Sequence, residues 1–216
     1  MKLVVILNVN PDENVKTKIS KNREYTRREL KGILSDGFSG FINDIIFYDN
    51  FNQFKENVSN HLEDFVLNFD FGYDSRTRNM KVPSFCDNYN IKYFNPDPYV
   101  QVLCQDKFIT KKFAENFGIK TPQSLLVFSH SYNKELLKNF NYPVIIKPNY
   151  ESESIGITQN SIVSNSNQAD YLVKQLLKDF DGILIEEYIE GNEIAITLFG
   201  NCLLYTSPSP RDRTRS

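Results

Sequence analysis

Two lysines of this 216-residue chain stand where an anion could be bound. Lys147 ends an apolar run that begins at Pro143, and a lysine at the end of a buried strand carries its ammonium to the edge of the sheet. Lys107 follows Asp106 at the predicted start of an amphipathic helix, where a cation is unfavourable unless an anion is its partner. Both positions suit a phosphate, which lysine binds as a point charge. Taken alone, a strand-end lysine extends into solvent more often than it binds a ligand.

Two polar segments accompany these lysines. Residues 149–156 (Asn-Tyr-Glu-Ser-Glu-Ser-Ile-Gly) form a small loop whose backbone N–H groups could be donated to a ligand. Residues 183–193 run from an apolar strand into a glutamate-rich turn, and Glu193 at its end could accept hydrogen bonds from a ribose diol. Either segment alone is typical of an exposed loop, so each gains meaning only in combination with the other.

The segments that must position these residues alternate between strand length and helix length, which predicts an α/β fold. Strands are predicted over 2–8, 41–48, 64–69, 91–94, 124–128, 142–147, 182–188 and 193–199. Helices are predicted near 23–35, 50–60, 80–89, 106–117, 132–140 and 167–180. The last helix has the clearest apolar face, and Asn167 is its predicted N-cap.

The sequence also predicts a division into domains. Two prolines at 96 and 98 interrupt helix and strand alike, so we place a boundary there. Residues 1–96 form a small doubly wound N-terminal domain, and 97–201 form a second domain of βαβ-like pieces. Residues 202–216 (CLLYTSPSPRDRTRS) look like a translated sequencing adapter. We expect them to be a non-native tail on a fragment, with a solvated Ser/Pro/Arg-rich terminus as the alternative.

Composition excludes several classes of protein. A net charge of −2 gives no basic field for nucleic acid. No apolar run approaches the roughly 20 residues that a membrane span needs. Three widely spaced cysteines and two histidines indicate neither a disulfide framework nor a metal centre. Glycine-rich dinucleotide, P-loop and nucleophile-elbow motifs are absent from the sequence. We expect a cytoplasmic protein without a nucleic-acid or membrane partner.

Four motifs in order resemble the ATP-grasp superfamily, and within it the D-alanine–D-alanine ligases or their ligase-like relatives. These motifs are Asp106-Lys107, Val-Ile-Ile-Lys-Pro at 144–148, Glu151 with Ser-Ile-Gly at 154–156, and Glu-Glu-Tyr-Ile-Glu-Gly-Asn-Glu at 186–193. In the first domain, Gly-Tyr-Asp-Ser-Arg-Thr-Arg at 72–78, Val82-Pro83 and Leu-Cys-Gln-Asp-Lys at 103–107 extend the resemblance. The match spans about residues 60–200. The second domain is thus identified as a partial ATP-grasp domain preceded by the N-terminal, pre-ATP-grasp domain.

The resemblance implies an enzyme, an ATP-dependent carboxylate–amine ligase that forms a C–N bond through an acyl phosphate. It implies phosphate contacts for Lys107 and Lys147, and a covering loop made of Glu151, Ser152, Glu153, Ser154, Ile155 and Gly156. It implies adenine contacts for Glu186, Glu187, Tyr188 and Ile189, with Tyr188 and Ile189 acting through main-chain atoms. It further implies that Glu193 binds the ribose and that Arg76 binds the carboxylate of the first substrate.

Departures from the family pattern bear on the substrate and the metal. Ser152, Glu153 and Ser154 stand where these ligases usually have Gly-Ser-Ser, and an acidic residue there repels phosphates. The turn at 8–14 gives no confident match to the glutamate that binds the first amine, so ligase-like relatives with other substrates fit better. The family's Mg²⁺ ligands fall after residue 199, so we assign no metal ligand or catalytic residue in this chain.

The resemblance further implies amino-acid-like carboxylate and amine substrates, ATP and Mg²⁺ as cofactors, and a homodimer as the assembly to test. Two alternatives stay open at this point. One is a non-catalytic nucleotide-binding or interaction protein that keeps the fold without the reaction. The other is a different ATP-grasp class, such as a peptide or amino-acid ligase.

Overall fold

The computed structural model describes residues 1–7, 26–70, 75–152, 154–192 and 194. The turn at 8–14, residues 202–216 and all of the expected strand over 193–199 except residue 194 lie outside this described part. Within it, the strands form two four-stranded sheets, and six α-helices are present. None of the described helices is long and apolar enough to cross a bilayer.

The first sheet is parallel, as a doubly wound unit requires. Its strands are Leu3–Leu7 (β1), Ile45–Tyr48 (β2), Phe65–Phe69 (β3) and Lys92–Tyr93 (β4), in the order β2-β1-β3-β4. All five residues of β1 are buried, because helices cover both faces of the sheet. The α/β prediction and the doubly wound N-terminal arrangement are therefore confirmed.

The helices of this unit divide between the two faces of β1. Arg27–Phe38 (α1) packs on the face of Leu3, Val5 and Leu7. Phe51–Glu56 (α2) and Lys81–Tyr89 (α3) pack on the opposite face, where Phe54, Val82 and Cys86 bury their side chains against Val4 and Ile6. Alternate side chains of β1 thus pack into two separate hydrophobic clusters, one on each face of the sheet.

Neighbouring strands of the second sheet are antiparallel. Its strands are Ser124–Val127 (β5), Val144–Pro148 (β6), Ile162–Val163 (β7) and Ile183–Glu187 (β8), in the order β5-β8-β6-β7. The expected βαβ-like pieces occur in split form: β7 and β8 run parallel and are joined by a helix, with β6 between them. The helix between β7 and β8 returns the chain to the middle of the sheet, where β8 pairs with β5 and β6. Element spacing along the sequence does not reveal which strands become neighbours.

Three further helices surround this sheet: Pro98–Gln105 (α4), Lys107–Asn116 (α5) and Ser166–Leu176 (α6). Helix α4 was not predicted, because its prolines suggested a break. In the structure Pro98 occupies the first helical turn, where no backbone N–H is needed, and Asp97 caps the helix by accepting a hydrogen bond from the Val100 N–H.

Two local predictions are corrected at the helices of the second unit. The segment expected as a helix near 132–140 is a 3₁₀ helix over Lys134–Asn139. The N-cap of α6 is Asn165 rather than Asn167, since the Asn165 side chain accepts the Gln168 N–H at 3.0 Å. Both residues are asparagines suited to capping, and the cap geometry selects the earlier one.

Alternation along β6 and β8 gives the second sheet two different faces. Val144, Ile146, Ile183 and Ile185 point to the core that α6 covers with residues such as Val173. The intervening residues of the two strands lie on the opposite face, and they include Lys147 and Glu186. The site described below is built on this second face.

A buried polar network ties the N-terminal strand to the loop before β3. The Asp64 carboxylate accepts hydrogen bonds from the Lys2 backbone N–H at 2.7 Å and pairs with His61 Nδ1 at 2.9 Å. His61 Nε2 lies 2.7 Å from the Tyr48 hydroxyl. Burial opposes ionisation of Asp64, but these hydrogen bonds outweigh it, so the pKa of Asp64 lies below its ordinary value.

Replacing Asp64 is expected to destabilise the protein more at neutral than at acid pH. Asp64→Ala leaves two buried donors without an acceptor, a loss of about 1–3 kcal/mol in the free energy of unfolding. Since the pKa of Asp64 is lower in the folded state, its ionised form stabilises the fold above about pH 4, and this contribution is lost as the pH falls through the folded pKa. Urea unfolding at pH 7 and pH 3 measures both effects. The exposed neighbour Glu63→Ala is the control, and equal losses for the two variants would contradict the prediction.

Candidate functional site

Lys147 and Glu186 meet on the face of the second sheet that points away from α6. In the register of β6 and β8, Lys147 lies opposite Leu184 and Glu186 lies opposite Ile145. The two charged residues are therefore diagonal neighbours on one face, within reach of long side chains. Lys147 Nζ forms an ion pair with Glu186 Oε1, and Glu186 is 7 % exposed.

Helix α5 brings two more lysines to this face. Asp106 caps the helix by accepting the Ile109 N–H at 3.0 Å, which fixes the first turn and with it Lys107. Lys111 lies one turn later on the same side of the helix and places its Nζ 2.6 Å from Glu186 Oε2. Sequence reasoning missed Lys111, although its i, i+4 spacing from Lys107 is a usable signal.

Lys107 is surrounded by main-chain carbonyls at the end of β6. Its ammonium donates to the carbonyls of Pro148 at 3.1 Å and Asn149 at 3.2 Å, and to that of Glu151. Burial, together with the neighbouring positive charge of Lys147, lowers the pKa of Lys107 to about 8. This lysine is therefore easier to deprotonate than an ordinary one.

The two carboxylate oxygens of Glu186 are shared between Lys111 and Lys147. Burial opposes ionisation of this side chain, but the hydrogen bonds from the two lysines outweigh burial, so the pKa of Glu186 lies below its ordinary value. The carboxylate is ionised at neutral pH and holds both ammonium groups on the same side of the sheet.

Asn149 joins β6 to the start of α5. Its side chain is fully buried, accepts the Phe108 backbone N–H at 2.9 Å and donates to Asp106 Oδ1 at 2.8 Å. Its own backbone N–H donates to the Gly182 carbonyl at 2.9 Å, just before β8. One amide side chain therefore fixes the position of α5, and hence of Lys107, relative to both strands.

Arg78 connects the N-terminal unit to the loop that follows β6. It is 6 % exposed and donates to the Tyr150 carbonyl at 2.9 Å and to Glu151 Oε2 at 3.0 Å. Gln105 of α4 also donates to the Tyr150 carbonyl. Arg76 lies over the Tyr150 ring, with its guanidinium carbon 5.9 Å from the ring centroid. Arg76 was singled out from the sequence, whereas Arg78 was not.

The loop over residues 151–156 folds back onto the end of β6. Ser152 and Ser154 are exposed, whereas Ile155 is buried. Gly156 has φ +77° and lies so close to Pro148 that a Cβ atom would come within 2.5 Å of Pro148 Cγ. Glu153 lies outside the described residues.

The segment after β8 is less closely associated with the lysines. Glu187 points to the other face of the sheet and accepts a hydrogen bond from Asn141 Nδ2 at 3.2 Å. The Tyr188 backbone N–H donates to the Pro143 carbonyl at 3.0 Å, and Ile189 is 67 % exposed. Glu193 lies outside the described residues.

The described cluster therefore contains four cations and two carboxylates. The cations are Arg78, Lys107, Lys111 and Lys147, and the carboxylates are Glu151 and Glu186. An excess of positive charge in a partly buried setting suits an anion with several charges. Within the described residues, no group of three His, Cys, Asp or Glu side chains could hold a metal ion.

Comparison with solved structures identifies the class of fold. The D-alanine–D-alanine ligase of Bacillus anthracis complexed with ATP superposes with a TM-score of 0.63 at 18 % identity, covering 88 % of this chain and 60 % of that chain. The VanG D-Ala:D-Ser ligase of Enterococcus faecalis superposes with a TM-score of 0.62 at 19 % identity, covering 88 % of this chain and 63 % of that chain. The chain has the ATP-grasp fold.

Sequence comparison then specifies the relationship. Residues 113–212 match the family model described as D-ala D-ala ligase C-terminus. The D-alanine–D-alanine ligase of Petrotoga mobilis is 32 % identical over 183 residues, covering 82 % of this chain and 55 % of that sequence. The chain is similar in sequence to the D-alanine–D-alanine ligases, in line with the resemblance of its motifs, and it spans about half the length of this curated relative.

The tight approach of Gly156 to Pro148 gives a prediction with a matched control. Gly118 has nearly the same φ, +75°, but open space around it. Gly118→Ala should cost about 1–2 kcal/mol of unfolding free energy, the penalty for a left-handed alanine. Gly156→Ala should cost more, because its Cβ also collides with Pro148, and limited proteolysis should then cut within 151–156. If urea unfolding shows the same loss of unfolding free energy for both variants, the close approach of Gly156 to Pro148 does not contribute to stability.

Proposed function

We propose that the protein carrying this chain is an ATP-dependent carboxylate–amine ligase related in activity to the D-alanine–D-alanine ligases. The observation that supports this most strongly is the placing of Lys107 and Lys147 on one side of the sheet near the end of β6, with Lys107 also contacting the loop that follows this strand. Such a cluster suits a triphosphate, and the relationship to ligases supplies the reaction.

In the proposed reaction, ATP is the substrate that phosphorylates a carboxylate, and an amine then displaces phosphate from the acyl phosphate to form the C–N bond. Lys107 and Lys147 place positive charge where negative charge develops on the transferred phosphoryl group. Their positions are fixed beforehand by Asn149 and by the pairing of β6 with β8, so little reorganisation is needed.

The remaining roles are proposals of the same kind. The loop of Glu151, Ser152, Glu153, Ser154, Ile155 and Gly156 covers the triphosphate. Glu186, Glu187, Tyr188 and Ile189 border the adenine, Glu193 binds the ribose, and Arg76 binds a substrate carboxylate. The exposure of Arg76 beside Tyr150 is compatible with its role. The domain boundary near residue 96 belongs to the same set of proposals.

Magnesium, a homodimer and a cytoplasmic location also stay proposals. The Mg²⁺ ligands we propose are those that the family resemblance assigns to positions after residue 199. The native origin of residues 202–216 is decided by sequencing the source DNA across codon 202. The assays below use the product of the complete source reading frame.

The proposed activity is tested by ADP release with a panel of D- and L-amino acids. We expect release that depends on an amino acid, and loss of one phosphate lysine in Lys147→Met should reduce turnover by about 10²–10³-fold. Lys174→Met is the control, because Lys174 lies on α6 across the sheet and pairs only with Asp170 among the described residues. ATP binding without release from any amino acid would favour the non-catalytic alternative. Release with L-amino acids or peptides would indicate another ATP-grasp class.

The low pKa of Lys107 predicts a pH dependence of nucleotide affinity. Its ammonium is protonated below about pH 8 and loses its charge above that value. The Kd for ATP should therefore rise roughly tenfold between pH 7 and pH 9. Isothermal titration calorimetry across this range measures the effect. Lys107→Arg should abolish the dependence because arginine stays charged. A flat profile in the unsubstituted protein would contradict the combination of a low pKa and a phosphate contact at Lys107.

A further inference from the structure

A phosphate that draws Lys147 away from Glu186 would leave one oxygen of this buried carboxylate without its cationic partner. The carboxylate is buried, and within the described part of the chain its cationic partners are Lys147 on one oxygen and Lys111 on the other. Ser124 lies directly opposite Glu186 in the sheet, but its hydroxyl makes no hydrogen bond within the described residues. The two lysines therefore carry the compensation of this charge.

If Lys147 turns its ammonium to a phosphate, Glu186 Oε1 loses its partner while a polyanion approaches. An uncompensated buried carboxylate is strongly unfavourable, and its repulsion of the phosphates adds to the cost. Lys111 is placed to prevent this. Its side chain is 13 % exposed, its Nζ lies 2.6 Å from Glu186 Oε2, and it extends from the same helix face as Lys107.

We propose that Lys111 is a positioning residue that neutralises Glu186 and thereby releases Lys147 for the phosphates, without itself contacting the nucleotide. The proposal rests on the proposed function, since it assumes that Lys147 binds the phosphates of ATP. It also assigns a second role to Glu186. This carboxylate pairs with both lysines before ATP binds, and it keeps only Lys111 after Lys147 turns to the phosphates.

The test compares Lys111→Met with Lys112→Met by calorimetric titration of ATP. Lys112 is adjacent and exposed, and it pairs with Glu115 rather than with the cluster. Lys111→Met should weaken ATP binding about tenfold or more, because the buried Glu186 carboxylate then has no cationic partner once Lys147 turns to the phosphates. Lys112→Met should bind as the unsubstituted protein does. Lys111→Arg retains the charge and should restore most of the affinity.

A second background separates compensation from direct contact. In Glu186→Gln there is no buried charge to neutralise, so adding Lys111→Met should not change the Kd for ATP further. This double variant also keeps the proposal testable should Lys111→Met alone fail to fold, because it removes both members of the pair. A further tenfold loss in the Glu186→Gln background would show that Lys111 contacts the nucleotide, which overturns the proposal.

The outcomes distinguish this proposal from the proposed function. If the unsubstituted protein binds no ATP, the proposed function and the role of Lys111 both fail. If it binds ATP and Lys111→Met binds equally well, the role of Lys111 alone is wrong. Strong coupling between the substitutions at Lys111 and Glu186, with Lys112→Met unchanged, supports the role.

Discussion

The hydrogen bonds of one buried amide determine where the charged groups of this protein lie. Asn149 binds the first turn of α5 through Phe108 and Asp106, and its backbone binds the residue before β8. A helix start, the end of one strand and the beginning of another are thereby held at one point. Lys107 and Lys111 of α5 take their positions from this junction, and so does the start of the loop after β6.

Electrostatics follows from that geometry. Because α5 lies against the face of the sheet that carries Lys147 and Glu186, cations outnumber carboxylates in a region with limited access to water. Burial and a like charge weaken the basicity of Lys107, while two ammonium groups keep Glu186 ionised. Alternation of side chains in the sheet places Lys147 and Glu186 on one face, and the spacing of four residues on α5 places Lys107 and Lys111 on one side of the helix. Neither element would produce the cluster alone.

The sequence predicted those features that depend on local pattern. Apolar runs marked seven of the eight described strands, and Asp106 was expected at the start of the helix that it caps. The missed features depend on partners distant in sequence. Arg78 meets Glu151 across 73 positions and Lys111 meets Glu186 across 75, so no local window reveals either pair. The antiparallel pairing of the second sheet was not predicted, because it too joins strands that are distant in sequence. Pro98 misled because a proline can begin a helix as well as interrupt one.

The ion pair between Arg78 and Glu151 has a consequence for motion. Glu151 begins the loop after β6, whereas Arg78 belongs to the N-terminal unit and is almost fully buried. Lifting the start of this loop requires breaking a bond between the two halves of the molecule, and displacing the halves pulls on the loop. The two movements therefore share one barrier, the breaking of the ion pair between Arg78 and Glu151.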